Sequence, residues 1–240
     1  MNKDYSVIKM DELNNVVEIP EFRDVTGIFK DRKHAGNVLA DMMIDYKDTE
    51  SIIFGIPAGG VPVAAPIASK LNLNLDVAVV SKITLPWNTE AGYGAVAFDG
   101  TVELNHDILS QIGLNKDQIN AGIVKTSHKI ERRIKTFRGL KHFPETENHT
   151  VILVDDGIAS GFTMLVAVEA LKKTGANKII IAVPTAHLKS LKKVSEMVDL
   201  VYCPNIRGGW GFAVAEAYQN WYDVSEDEVI EILKSQINHL

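Results

Sequence analysis

Hydrophobic positions along the chain fall into one pattern that occurs twice. In its first occurrence, Ser51–Ile56 is a nearly unbroken apolar run, Val61–Leu71 has helical spacing, and Leu75–Val80 is apolar again. In its second, Val151–Val154 leads into a helical stretch from about Gly161 to Thr174, followed by Lys178–Val183. A strand apolar at consecutive positions, not alternate ones, is buried on both faces, as in a parallel sheet covered by helices. Repetition of the strand–helix–strand unit predicts an α/β fold: a doubly wound, mostly parallel sheet with helices on both faces. Gly175 is placed to end the second helix, and Lys172 and Lys173 suit the negative end of its dipole.

Weaker periodicity fills in the rest. A strand is expected around Asn15–Ile19. Asp31 is expected to cap a helix running to about Tyr46, with Ala35, Val38, Leu39, Met42 and Met43 on its apolar face. Lys82–Asn105, rich in Gly, Pro and small polar residues, reads as a long loop of the kind that forms a lid. A polar helix follows, opened by Asn115 and Gln118 as a capping box and running through Arg138. After an aromatic-rich stretch, a last helix starts near Ser225. At 240 residues and 46% hydrophobic, the chain suits one domain with an added subdomain.

Charge and cysteine content narrow the function classes. Lys and Arg total 25 against 31 Asp and Glu, a net charge of −6, which argues against a general nucleic-acid coat. A polyanion can still bind where the positive field is local or a metal supplies it. One cysteine, Cys203, excludes an internal disulfide and fits a reducing compartment. The opening MNKDYSVIKMDELNN lacks a signal-peptide run, and no stretch is long enough to span a bilayer. A soluble, cytoplasmic protein is expected.

The chemistry concentrates in VILVDDGIASGFTM. Aliphatic residues deliver Asp155 and Asp156 to the carboxyl end of a strand, where ligands of open parallel sheets bind. Gly157, Ala159, Ser160 and Gly161 then form a small-residue turn into a helix, aiming backbone N–H groups at one centre. Ser160 and Thr163 add hydroxyls. Carboxylates repel phosphate, so they address another part of the ligand: vicinal hydroxyls, a Mg2+ ion or developing positive charge. A phosphorylated sugar offers all three.

This segment closely resembles the signature of type I phosphoribosyltransferases, which bind 5-phosphoribosyl-1-pyrophosphate (PRPP). The resemblance implies that Asp155 and Asp156 hold the ribose 2′- and 3′-hydroxyls, with Mg2+ near the pair. It also implies that Gly157–Thr163 hold the 5′-phosphate. Family members often carry Thr and Ala where this chain has Ser160 and Phe162. GIPAGGVPV, again between strand and helix, matches by position the family's pyrophosphate loop at Ala58, Gly59 and Gly60. Lys82, after the next strand, can neutralise departing pyrophosphate, and KITLPWNTEAGYGAVAFDG would close as the lid, with Glu90 and Tyr93 as candidate ligand contacts.

FKDRKHAGNVLADMM, the lid pattern, the ERR…FRG stretch and GFAVAEAYQNWYD extend the resemblance to one branch of the superfamily, over most of residues 29–222. Arg32 at a helix head opposes the dipole, which points either to an outside anion such as pyrophosphate or to pairing with Asp31 or Glu21. Arg132, Arg133, Lys135, Arg138 and Lys141 form a basic run that reads as a solvated helix face. The histidines show no metal spacing. In resembling enzymes terminal segments build a hood over the acceptor. Here that implies a single domain over 1–240, a core of about 25–200, a lid of about 82–105 and a hood of about 1–24 and 201–240. Trp210, Phe212, Tyr218 and Trp221 are its aromatics.

The expected reaction is transfer of the phosphoribosyl group from Mg-PRPP to a small nitrogenous acceptor, in a homodimer as the family implies. The alternative is a PRPP-binding regulator without turnover. A nucleoside triphosphatase lacks its GxxxxGK[ST] loop, and adjacent acids do not fit a haloacid-dehalogenase-type phosphatase.

Overall fold

The computed structural model describes residues 13–209 and 211–237, apart from the side chains of Thr89, Glu90 and Ile237. A parallel sheet forms the centre. Its strands are β1 (Val16–Val17), β2 (Ile52–Gly55), β3 (Asn74–Val77), β7 (Thr150–Val154), β8 (Lys178–Ala182) and β10 (Leu200–Tyr202), in the order β1-β10-β8-β7-β2-β3. Alternate residues of each central strand serve opposite layers. Phe54, Leu153 and Ile181 face α5 (Phe162–Lys173), while Ile53, Ile152 and Ile180 face α1 (Arg32–Met42) and α2 (Gly60–Leu71). Both layers are dry, which is why these strands read as unbroken apolar runs.

The expected helices form with small shifts at their ends. Asp31 caps α1 by accepting the His34 N–H at 2.8 Å. That helix stops at Met42, and Ile44–Tyr46 continues only as a 3-10 turn. The Asn115–Gln118 capping box opens α4 (Lys116–Arg138), which presents Ile119, Ile123, Thr126, Ile130 and Phe137 to the protein at helical spacing. Ser225 accepts the Glu228 N–H at the head of α7 (Glu226–Ile237).

Residues 82–105, expected as a loop, are instead mostly an antiparallel sheet: β4 (Val80–Leu85), β5 (Asn88–Ala97) and β6 (Val102–Leu104), followed by α3 (His106–Ile112). The glycines that suggested a loop serve close packing. A Cβ on Gly94 would fall 2.7 Å from the Glu103 carbonyl oxygen and 3.0 Å from Ile83 Cδ1. Stacked Phe54, Phe143 and Phe98 rings, 5.1 Å and 4.5 Å apart in turn, tie this small sheet to the large one.

The basic run is in large part structural. Glu226 accepts from Arg132 at 2.8 and 2.9 Å and from Arg133 at 3.1 Å, fastening α7 to α4. Arg138 donates to Asp76 at 3.0 Å and to the His142 carbonyl at 2.8 Å. Lys135 and Lys141 stay exposed. Among the described residues, no helix is long and apolar enough to cross a membrane.

Candidate active site

At the carboxyl end of β7 the chain turns through 155–161 into α5. Asp155 bends back to accept the Asp156 N–H at 2.8 Å, a local bond that fixes the start of the turn. Ile158 is buried, with its N–H on the Thr185 carbonyl at 2.9 Å, so the middle of the loop is pinned down. Gly161 then takes φ +77°, a left-handed conformation suited to glycine, and α5 begins. No acceptor among the described residues takes the N–H groups of Ala159, Ser160 or Gly161. They remain open, close to the Thr163 and Met164 amides at the head of α5, while the Phe162 N–H donates to Ser160 Oγ at 3.4 Å.

The second glycine loop lies against this one. A Cβ on Gly60 would sit 2.5 Å from the Val154 carbonyl oxygen and 2.9 Å from Asp155 Cα, and one on Gly59 would collide with the Asp156 carboxylate. The pair of glycines is therefore needed for the two loops to meet. The Pro57–Ala58 peptide is cis.

A cavity of about 200 Å3 opens beside the 155–163 turn. Asp155, Asp156, Gly157, Ala159, Ser160, Gly161 and Thr163 line it, joined by Lys82 from β4. The residues expected to hold ribose and 5′-phosphate thus surround one space, with the expected pyrophosphate lysine at its edge. Val214, which no pattern in the sequence singled out, closes another side with Ile158 and Met164.

Of the other candidate residues, Gly59 and Gly60 lie against the acidic pair, Ala58 packs against the apolar cluster of Val61, Val77 and Ile83, and none of the three lines this cavity; Tyr93 is buried against Gly122 of α4. The Glu90 side chain and Trp210 lie outside the described residues. Phe212 packs edge-on to His187 and beneath Arg207. Arg32 is buried and pairs with neither Asp31 nor Glu21. Its Nε donates to Asp156 Oδ2 at 3.0 Å, with Nη2 in ion-pair contact with the same oxygen at 2.9 Å, and Nη1 donates to the Tyr222 carbonyl at 2.8 Å.

These contacts set the electrostatics. Burial, and then the neighbouring Asp156 charge, push the Asp155 carboxyl well above the ordinary carboxylate range; Arg32 and Lys82 pull against them. Burial also raises Asp156, opposed by the charge and hydrogen bond of Arg32. Burial raises the Tyr218 phenol, so it stays protonated and donates to the Asp156 carbonyl at 2.6 Å. Among the described residues no donor from another element reaches Asp155 Oδ2 or Asp156 Oδ1, and the two carboxyls interact with each other. Two adjacent acids with an oxygen each left to the cavity side are a donor set that suits Mg2+ shared with ligand oxygens.

Residues 28–217 match the family described as the phosphoribosyl transferase domain. A Mycobacterium tuberculosis protein provisionally named a phosphoribosyl transferase is 34% identical over 207 residues, covering 86% of this chain and 46% of that protein. The chain thus spans about half the length of that curated relative. The adenine phosphoribosyltransferase of Bordetella parapertussis is 26% identical over 185 residues, covering 75% of this chain and 78% of that protein. Among solved structures, TT1426 from Thermus thermophilus superposes with a TM-score of 0.70 at 27% identity, covering 87% of this chain and 98% of that one.

Proposed function

The chain belongs to the phosphoribosyl transferase domain family, and from that premise we propose that it transfers a 5-phosphoribosyl group from Mg-PRPP to a small nitrogenous acceptor. The observation that carries the reading is the convergence of the acidic pair, Lys82 and the open amides of 159–161 on one cavity.

In this reading the turn amides, with the Ser160 and Thr163 hydroxyls, take the 5′-phosphate. Asp155 and Asp156 orient the ribose through its vicinal hydroxyls. The bond from the anomeric carbon to pyrophosphate breaks, and its electron pair leaves with the pyrophosphate. The acceptor nitrogen then bonds to that carbon and releases its proton. Positive charge develops on the sugar between these steps, and the nearby carboxylates stabilise it. Lys82 stands where charge builds on the leaving group. Mg2+, held by the cavity-side oxygens of Asp155 and Asp156, would supply further charge neutralisation at the diol and the pyrophosphate. No covalent nucleophile is required, because positioning and electrostatics account for the rate.

The same proposal keeps β4–β5 as the element that closes over bound ligand, the terminal segments as the acceptor's hood, and a cytoplasmic homodimer as the working form. The test is calorimetric titration of PRPP with Mg2+, followed by a screen of purines, pyrimidines and amines for pyrophosphate release. PRPP binding without release from any acceptor would support the regulatory reading. Failure to bind PRPP would defeat both.

A further inference from the structure

We infer that Arg32 is the positioning residue of Asp156, locked in place by the C-terminal segment, and is not a ligand of pyrophosphate. The inference rests on the reading that the acidic pair grips the pentose.

Residues 27–30 and 216–220 run side by side. Gly27 N–H donates to the Glu216 carbonyl at 2.7 Å, Phe29 N–H to Ala217 at 2.9 Å, and Gln219 N–H to Phe29 at 2.8 Å. This pairing brings the tail against the head of α1, where Arg32 is the first residue. The guanidinium lies over the Trp221 ring at 3.9 Å, with the Tyr222 and Tyr218 rings at 5.5 and 5.9 Å. Its in-plane donors go to the Tyr222 carbonyl and to one oxygen of Asp156. Tyr218, from the same segment, grips the backbone of Asp156 through its hydroxyl. Asp156 is therefore held at both its carboxylate and its carbonyl, while Gly59 packs against the carboxylate.

Two features separate this role from direct phosphate binding. With 5% of its side chain exposed, Arg32 does not line the cavity beside the 155–163 turn; it borders a separate cleft with Asp31, Pro62 and Tyr222, on the far side of its bond to Asp156. Planar guanidinium groups also give directional contacts, and here the directions are taken by protein acceptors and an aromatic face. A positioning residue should thus act on ribose binding and only through Asp156.

The experiment is a double-mutant cycle with Arg32→Met and Asp156→Asn, titrating ribose 5-phosphate and PRPP by calorimetry in the presence of Mg2+. In the wild-type background, Arg32→Met should weaken both ligands by a similar factor, about tenfold to hundredfold, as mispositioning by an ångström does. In the Asp156→Asn background the same change should cost less than about twofold. A loss confined to PRPP, or one that persists in full without the Asp156 carboxylate, would overturn the assignment. If Arg32→Met does not fold, Trp221→Leu takes its place, since it removes the face on which Arg32 stacks, with the adjoining Tyr218 ring contact, and leaves the guanidinium donors in place. An about two- to fivefold loss for both ligands is then expected, and unchanged ribose 5-phosphate binding would refute the lock. Absence of PRPP and ribose 5-phosphate binding by the wild-type protein would instead sink the functional reading, and this inference with it.

Discussion

Replacing Gly60 with alanine tests whether the two glycine-bearing loops form one site. The added Cβ has no free space: it would stand 2.5 Å from the Val154 carbonyl oxygen and 2.9 Å from Asp155 Cα. Both obstacles are backbone, one the last residue of β7 and the other the first of the turn after it, so neither can rotate away, and the end of β7 and the head of α2 must part. Overpacking of this kind costs about 1–3 kcal/mol, and obstruction by backbone favours the upper half of that range. Against it stands the better helix propensity of alanine, worth about 1 kcal/mol in a helix interior and less at a first helical residue. A net loss of about 2 kcal/mol follows. For a chain of this size each kcal/mol shifts the melting temperature by about 2–4 °C, so calorimetry should show a drop of roughly 4–8 °C. The displaced element carries Asp155 and Asp156, and PRPP turnover should fall by about tenfold to hundredfold in the molecules that remain folded. Unchanged melting would refute the close packing. Lower stability with wild-type turnover would refute the mechanical link between the loops.

Asp155→Asn with Asp156→Asn should abolish pyrophosphate release while leaving the far-ultraviolet dichroism unchanged; surviving turnover would remove the pair from the mechanism. Because folding raises the Asp155 pKa, that group's contribution to stability is full below its unfolded value of about 3.9 and is lost as pH rises through its folded value. Asp155→Asn alone should therefore gain stability over wild type from about pH 4 upward and none below, and urea unfolding showing an equal gain at both extremes would contradict the burial argument. Lys82→Ala should weaken pyrophosphate binding more than ribose 5-phosphate binding, with equal calorimetric losses as the refuting result. Gly122→Ala should destabilise because its Cβ would run into the Tyr93 hydroxyl. Adding Tyr93→Phe should recover most of that loss in thermal unfolding, and strict additivity would show that the contact is absent.

What could be read from the chain depended on the range of the interaction. The buried strands, the Asn115 capping box and the 155–163 turn are written in neighbouring residues: in apolar periodicity, in the Asn115–Gln118 spacing, and in the run of acids, small residues and hydroxyls. The β4–β5–β6 sheet was missed because Gly92 and Gly94 have the same local signature in a loop and in a tightly packed strand. Only Glu103 and Ile83, contributed by the partner strands, distinguish the two cases. Arg32 shows the same limit in the site. Its position at a helix head predicts an anionic partner, either an outside ligand or Asp31 or Glu21, and the structure supplies Asp156 instead. The anion that answers it lies 124 residues away, held there by a sheet order and a tail pairing that no local window contains.

That distant pairing bears on how an acidic site can accept a phosphorylated ligand. Two adjacent carboxylates would ordinarily repel every phosphate of PRPP. Arg32 answers Asp156 from behind the cavity wall, so the pair presents less negative charge than its composition suggests. Lys82 and the open amides lie on the cavity side, where phosphate would enter. The positive field is therefore local and directional, although the chain as a whole carries −6. Under the proposed function, such an arrangement would leave the acids available to hydroxyls and to a cation while phosphate is drawn to the turn beside them. It also makes the acidic pair dependent on its support: without Arg32, Asp156 would lose both the charge partner and the hydrogen bond that hold its carboxylate.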